Sequence, residues 1–192
     1  MVDYKEQIKN HLEQDTDFEK IVRMFYLVHP TCAFSEDYEK ADEILNEVSD
    51  FFKIPINDIV VCGSAKLGFS LVKQTIFEKG RSDLDLAILN RDCYFSIFDE
   101  VLKSTMNYSK RNMFSGNNYD KYTSAVSKGM INYKFLPRIE RRTELLTFFD
   151  MISIKYRNYF STITCCFYAS EFAFKQKQIN GLNKFKNDIL EY

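Results

Sequence analysis

Two short runs of aliphatic residues interrupt a chain whose other segments follow a helical pattern. The first, residues 58–62, leads directly into Gly63 and Ser64. In the second, residues 83–88, apolar side chains occupy every other position, which is the period of a β-strand. Because helical patterns stand before, between and after these runs, they restrict the chain to an α+β or α/β-like fold. We expect a small mixed sheet flanked by N-terminal and C-terminal helices.

The remaining segments extend this pattern along all 192 residues. Ser161–Tyr168 is rich in β-branched residues and predicts a third strand, whereas residues 114–118 are typical of a loop. Helices are predicted over residues 21–28, 35–52, 95–102, 119–128, 140–156 and 170–190. The length fits one domain, 1–192, with an N-terminal helical part, 1–53, and a core that includes a C-terminal helix, 54–192.

Composition excludes several classes of protein. Hydrophobic residues make up 45% and charged residues 28% of the chain, so it is neither disordered nor collagen-like. No apolar stretch is long enough for a membrane span, and the charged segment Met1–Lys9 is unlike a secretory signal. The five cysteines lack the CxxC spacing of a zinc ribbon. We therefore expect a cytoplasmic protein with no membrane partner.

Charge is distributed unevenly between the two halves of the chain. Residues 1–100 carry 11 basic and 20 acidic side chains, whereas residues 101–192 carry 15 basic and 7 acidic ones. A basic half can contact phosphates or nucleic acid, although the two halves can equally face each other or be solvated. Arg138, Arg141 and Arg142 follow Pro137 and offer a site for a nucleic-acid backbone; a solvated helix start is the alternative.

Asp83 and Asp85 are the first candidate functional residues. Because side chains alternate along a strand, both carboxylates point to the same side of the sheet. Two adjacent carboxylates repel each other unless a cation lies between them, and hard oxygen ligands suit Mg²⁺ or Mn²⁺. A solvated strand end with two acids is the alternative interpretation. The pair therefore predicts a metal site only if a second feature supports it.

The turn at Gly63 and Ser64 supplies that feature. Glycine allows a sharp exit from the strand and a close approach of the backbone to a ligand, and the Ser64 hydroxyl and amide can bind a phosphate. Lys66 lies near enough in sequence to reach a triphosphate. A Walker-type loop is excluded because Phe69 stands where that loop needs lysine, and no GxGxxG segment occurs. The turn and the acid pair together predict a nucleotide site.

This combination resembles the signature of the polymerase-β-like nucleotidyltransferase superfamily, in the manner of its compact bacterial members. The resemblance covers residues 63–88, from the Gly-Ser turn through Gly68 to the Asp-x-Asp strand. It implies that Gly63 and Ser64 contact a nucleoside triphosphate such as ATP, and that Asp83 and Asp85 hold Mg²⁺ and carry catalysis. The implied activity is transfer of a nucleotidyl group to a hydroxyl of a protein, an RNA or a nucleotide.

One departure from the family pattern leaves a second function open. The family has a third carboxylate on a later strand, and Ser161–Tyr168 contains no acid. Acids that could replace it stand outside that strand, at Glu140, Glu144, Asp150 and Glu171. Without such an acid, the resemblance implies a nucleotide-binding or partner-binding protein of the same fold. Compact members of the superfamily serve in toxin–antitoxin or antiphage systems, which implies a protein partner.

Overall fold

A computed structural model describes residues 4–190 of the chain as helices packed around one small sheet. The helices are α1 (Tyr4–Glu13), α2 (Phe18–Val22), α3 (Tyr38–Phe52), α4 (Gly63–Leu67), α5 (Arg91–Ser104), α6 (Asn118–Val126), α7 (Glu140–Lys155) and α8 (Glu171–Leu190). The strands are β1 (Ile59–Cys62), β2 (Leu84–Ile88), β3 (Met130–Asn132) and β4 (Ile163–Tyr168). The predicted α+β class, with a small mixed sheet between helices, is confirmed.

The sheet has the strand order β1-β2-β4-β3. Strand β2 pairs antiparallel with β1 and parallel with β4, and β3 pairs antiparallel with β4. In this register Asp85 lies opposite Cys62 on one side and Thr164 on the other. The two central strands therefore bring the start of β2, the end of β1 and the start of β4 to one edge of the sheet.

Each face of the sheet is covered by its own hydrophobic core. On one face Leu84, Leu86 and Ile88 pack with buried residues of α3, α5 and α7. On the other face Ala87 and Tyr168 pack with buried residues of α1, α2 and α8. Because strand side chains alternate, Asp85 lies on the same face as Ala87. This is the face covered by α1, α2 and α8.

The helix starts and ends follow local rules. Asp37 accepts a hydrogen bond from the backbone of Lys40 and so caps α3, as the predicted start of that helix requires. The helix predicted over residues 21–28 begins as α2 and continues as a π-helical segment, Arg23–Val28, that ends before Pro30.

Strand β3 was not predicted. Within the described residues, no helix has the combined length and apolarity that crossing a membrane demands.

Candidate functional site

The Gly-Ser turn and the acid pair meet at one edge of the sheet. Gly63 directly follows β1 and has a φ of +62°, a left-handed conformation that favours glycine. A Cβ atom at this position would lie 3.0 Å from Asp85 Oδ2. The half-buried Ser64 follows in the first turn of α4. Gly63 and Asp85, which are 22 positions apart in sequence, therefore lie next to each other.

Asp83 precedes β2 and is held by hydroxyl groups of the neighbouring strand segment. Ser161 Oγ donates to Asp83 Oδ1 at 2.5 Å, and Thr162 Oγ1 donates to the same oxygen at 2.7 Å. Partial removal from water raises the pKa of Asp83, but the two hydroxyls and nearby lysines outweigh this effect and lower it. Asp83 is therefore kept ionised, with one oxygen fixed in position.

Asp85 lies in a different electrostatic environment from Asp83. Its Oδ1 accepts one hydrogen bond, from Thr164 Oγ1 at 3.0 Å. The side chain of Asp85 is exposed, but the surrounding protein removes part of its hydration. This loss of hydration raises the pKa of Asp85, and the negative charge of Asp83 raises it further. Asp85 is therefore ionised less readily than Asp83.

Two lysines contribute positive charge near both carboxylates. Lys73 lies in the connection between α4 and β2, and Lys134 lies just after β3. The charge of each lysine acts on Asp83 and on Asp85, in the direction that lowers both pKa values. Lys134 also lines a cavity of about 290 Å³ with Thr162 and Thr164. Sequence analysis missed Lys134 because the register that places it beside β4 is not local.

Strand β4, the later strand on which the resemblance implies a third carboxylate, contains no acid. Thr164 stands opposite Asp85 in the register of β2 with β4. Among residues 4–190, no three histidine, cysteine or acidic side chains form a group that could hold a metal. Of the four acids considered from sequence, Asp150 lines the same cavity as Thr162 and Thr164.

The other three acids are placed differently. Glu144 pairs with Arg141 at 3.1 Å, and Glu171 pairs with Lys175 at 2.6 Å. Glu140 begins α7, more than two helical turns before Asp150. No contact brings any of these three to the residues around Asp83 and Asp85 within the described part of the chain, so Asp150 is the one of the four that shares a cavity lining with the threonine partners of that pair.

Lys66 points away from the group formed by Gly63, Asp83 and Asp85. Its side chain is 5% exposed, and its ammonium donates to the backbone carbonyl of His29 at 2.7 Å. Burial lowers the pKa of Lys66 to about 8. The structure therefore gives Lys66 a packing role beside the π-helical segment. Its predicted contact with a triphosphate has no support in this arrangement.

The three arginines considered as a nucleic-acid site, Arg138, Arg141 and Arg142, differ in their contacts. Arg138 donates to the carbonyl of Asn112 at 2.7 Å. Arg141 pairs with Glu100 as well as with Glu144. The Nε atom of Arg142 is buried without a hydrogen-bond partner among the described residues. These three arginines therefore do not form one basic surface.

Helix α8 supplies further polar groups near the turn. A cavity of about 220 Å³ is lined by Gly63 and Ser70 on one side and by Lys177, Asn180 and Gly181 of α8 on the other. The amide and ammonium groups of α8 thus face the same space as the Gly-Ser turn. No local pattern could indicate this proximity, because more than 100 residues separate the turn from α8.

The opposite pKa shifts of the two acids predict opposite stability effects. At neutral pH, Asp85→Asn is expected to stabilise the unliganded protein, because it removes a charge that the fold disfavours. Asp83→Asn is expected to destabilise it by about 1 kcal/mol, or roughly 2–4 °C in Tm, because it weakens charge-assisted hydrogen bonds.

The effect of Asp85→Asn should shrink as the pH falls towards the ordinary aspartate pKa of 3.8, whereas the effect of Asp83→Asn should persist to about that pH and be lost below it. The raised pKa of Asp85 costs stability only where the carboxyl is ionised, and the lowered pKa of Asp83 adds stability only there. Thermal or urea unfolding of both variants across this pH range checks the prediction. Shifts of the same sign at neutral pH would contradict the assigned environments.

Comparisons with known proteins provide no independent assignment. No family model matches this chain. No curated protein and no solved structure matches it either. The similarity to nucleotidyltransferases therefore rests on residues 63–88 and on the geometry that brings the Gly-Ser turn to the acid pair.

Proposed function

We propose that this protein is a Mg²⁺-dependent nucleotidyltransferase that moves a nucleotidyl group from a nucleoside triphosphate to a hydroxyl. One observation carries the proposal. The glycine turn at the end of β1 lies against the carboxylate of Asp85 on β2, with 3.0 Å between that oxygen and a Cβ built at Gly63. A phosphate-binding turn and a metal-binding acid pair must adjoin in this way if one triphosphate is to contact both.

The donor set fits Mg²⁺, or Mn²⁺ in its place. Mg²⁺ in proteins commonly takes one or two carboxylates and completes its shell with waters and substrate phosphates. Asp83 and Asp85 offer two carboxylates, and the raised pKa of Asp85 reflects a charge that a cation would compensate. When bound, the metal would neutralise charge on the phosphates during an in-line displacement.

Each residue of the candidate site has a separate role in the proposed reaction. Gly63 lets the backbone approach the triphosphate, and Ser64 offers a hydroxyl and an amide to it. Lys73 and Lys134 add positive charge where phosphate negative charge accumulates. The hydroxyls of β4 and its preceding segment fix the orientation of both carboxylates.

Asp150 is the residue proposed to accept the proton of the attacking hydroxyl. It lines the cavity that contains Thr162 and Thr164, the hydroxyl partners of Asp83 and Asp85. A general base must lie within hydrogen-bond reach of the acceptor, directly or through one water. An acceptor hydroxyl in this cavity would satisfy that requirement.

A label-transfer assay tests the proposed activity. The full chain is incubated with Mg²⁺ and each nucleoside triphosphate labelled at its α-phosphate, with the protein itself, RNA or free nucleotides as acceptors. We expect transfer to one acceptor, and we expect Asp150→Asn to reduce it by about a hundredfold while triphosphate binding persists. The matched control, Glu144→Gln, removes an acid of the same helix and should keep full transfer.

A second candidate function is favoured by Thr164. Because β4 has Thr164 opposite Asp85 and contains no acid, whereas the family that the sequence resembles has a third carboxylate on a later strand, the protein can instead bind the triphosphate and act on a partner protein without turnover. A cytoplasmic role in a toxin–antitoxin or antiphage system fits either candidate. Metal-dependent nucleotide binding without transfer to any acceptor would favour this second function, and absence of both would reject the two candidates together.

A further inference from the structure

Four lysines surround the space between α6, the start of β3 and α8. We call this surface the basic groove and define it by Lys121, Lys128, Lys134 and Lys177. Two cavities, of about 410 and 450 Å³, form its floor and share Lys128, Lys177 and neighbouring residues. Lys121 lines the second cavity, and Lys134, which directly precedes Phe135 of that cavity in sequence, lines a further cavity beside Thr164.

The lysines of the groove have no ion-pair partners among residues 4–190. Three other lysines of the same half of the chain are paired, Lys155 with Glu47, Lys175 with Glu171 and Lys186 with Asp15, whereas Lys103, Lys110 and Lys184 make no ion pair within residues 4–190. Asp120 lines the second floor cavity, and Asp150 lines the cavity that contains Lys134. The ammonium groups of Lys121, Lys128 and Lys177, which make no ion pair among the described residues, are available to an anionic ligand.

Aromatic rings lie among these cations. Phe172 lines the first cavity and is 67% exposed, although it is a large apolar side chain. Phe135 lines the second cavity, and the ammonium of Lys121 lies 5.3 Å from the centre of its ring. Cations that follow a phosphate backbone, alternating with rings on which bases stack, are the elements of single-strand recognition.

The groove is continuous with the candidate nucleotide site at two points. Lys177 lines the cavity that contains Gly63, and the charge of Lys134 acts on both Asp83 and Asp85. A strand lying in the groove would therefore end beside the acid pair. This placement brings a terminal hydroxyl of the strand towards the triphosphate.

We propose that the basic groove binds single-stranded RNA and that this RNA is the acceptor of the nucleotidyl group. The inference rests on the proposed function for the transfer step but not for binding. In that step the RNA hydroxyl oxygen forms a bond to the α-phosphorus, the bond from that phosphorus to the bridging oxygen breaks, pyrophosphate leaves, and the hydroxyl proton passes to a base such as Asp150. Unpaired cations beside the exposed ring of Phe172 and the half-buried ring of Phe135 favour a nucleic acid over an acidic protein.

Fluorescence anisotropy with a short labelled poly(U) RNA tests the binding step without Mg²⁺ or nucleotide. For four phosphate contacts, affinity should fall roughly 50-fold between about 50 and 200 mM salt, since each contact to a single strand contributes about −0.7 to the logarithmic slope. The triple variant Lys121→Ala/Lys128→Ala/Lys177→Ala should make that slope shallower by about 2. The control triple variant, Lys155→Ala/Lys175→Ala/Lys186→Ala, removes equal charge outside the groove and should keep the wild-type slope.

The outcomes separate this proposal from the proposed function. RNA binding that survives in Asp83→Asn/Asp85→Asn supports the groove even if no nucleotidyl transfer is found. The groove proposal is overturned if poly(U) does not bind, if its affinity is independent of salt, or if both triple variants behave alike. It is also overturned if a polyglutamate peptide binds as tightly as poly(U). Circular dichroism of each variant verifies that the fold is retained.

Discussion

Replacing Asp83 and Asp85 together by asparagine is expected to abolish metal-dependent nucleotide binding and to reduce label transfer by roughly a thousandfold or more. Asparagine keeps the shape of each side chain and can still accept hydrogen bonds from Thr162 and Thr164. The variant therefore removes negative charge with little change in packing. Charge is the property that holds a divalent cation beside a triphosphate.

The matched control removes the same charge elsewhere. Asp42→Asn with Asp99→Asn changes two exposed acids on α3 and α5. Titration calorimetry with Mg²⁺ and a triphosphate, together with the label-transfer assay, compares the two double variants. If the Asp83/Asp85 variant binds nucleotide and Mg²⁺ as the wild type does, the acid pair is not the metal site.

Gly63→Ala is expected to weaken triphosphate binding at least tenfold and to destabilise the protein by about 1–2 kcal/mol. The stability cost comes from the φ of +62°, which an L side chain adopts with strain. The binding cost comes from the added methyl group, which would lie 3.0 Å from Asp85 Oδ2. That methyl group would displace the carboxylate and occupy space that a phosphate needs.

Gly116 provides the control that separates these two costs. It has a φ of +54°, and a Cβ atom built there meets nothing within 4 Å. Gly116→Ala should therefore share the backbone strain and the lower Tm but keep wild-type nucleotide affinity. Equal loss of affinity in Gly63→Ala and Gly116→Ala would mean that strain alone, rather than contact at the turn, explains the effect.

Local sequence patterns predicted the parts of the fold that depend on local periodicity. The strands at residues 58–62, 83–88 and 161–168 correspond to β1, β2 and β4, because their β-branched and alternating residues are visible in single segments. The helices over residues 140–156 and 170–190 were also placed to within a residue at each end. The shared orientation of Asp83 and Asp85 followed from the same alternation.

Features that depend on pairing between distant segments could not be predicted in this way. Strand β3 has three residues and exists because Ile131 pairs with Phe167 of β4. The position of Thr164 opposite Asp85 requires the parallel register of β2 with β4. For Lys66, proximity in sequence was misleading. Its position close to Gly63 in the chain suggested that it binds a phosphate, whereas its ammonium donates to the backbone carbonyl of His29.

The most direct test is a crystal structure of the full chain with Mn²⁺ and a non-hydrolysable nucleoside triphosphate. The anomalous signal of Mn²⁺ locates the metal independently of the phosphates. We expect a Mn²⁺ peak coordinated by carboxylate oxygens of Asp83 and Asp85, with the triphosphate against the backbone of Gly63 and Ser64. A Mn²⁺ peak or a triphosphate bound at any other place on the protein would contradict the assignment of this site.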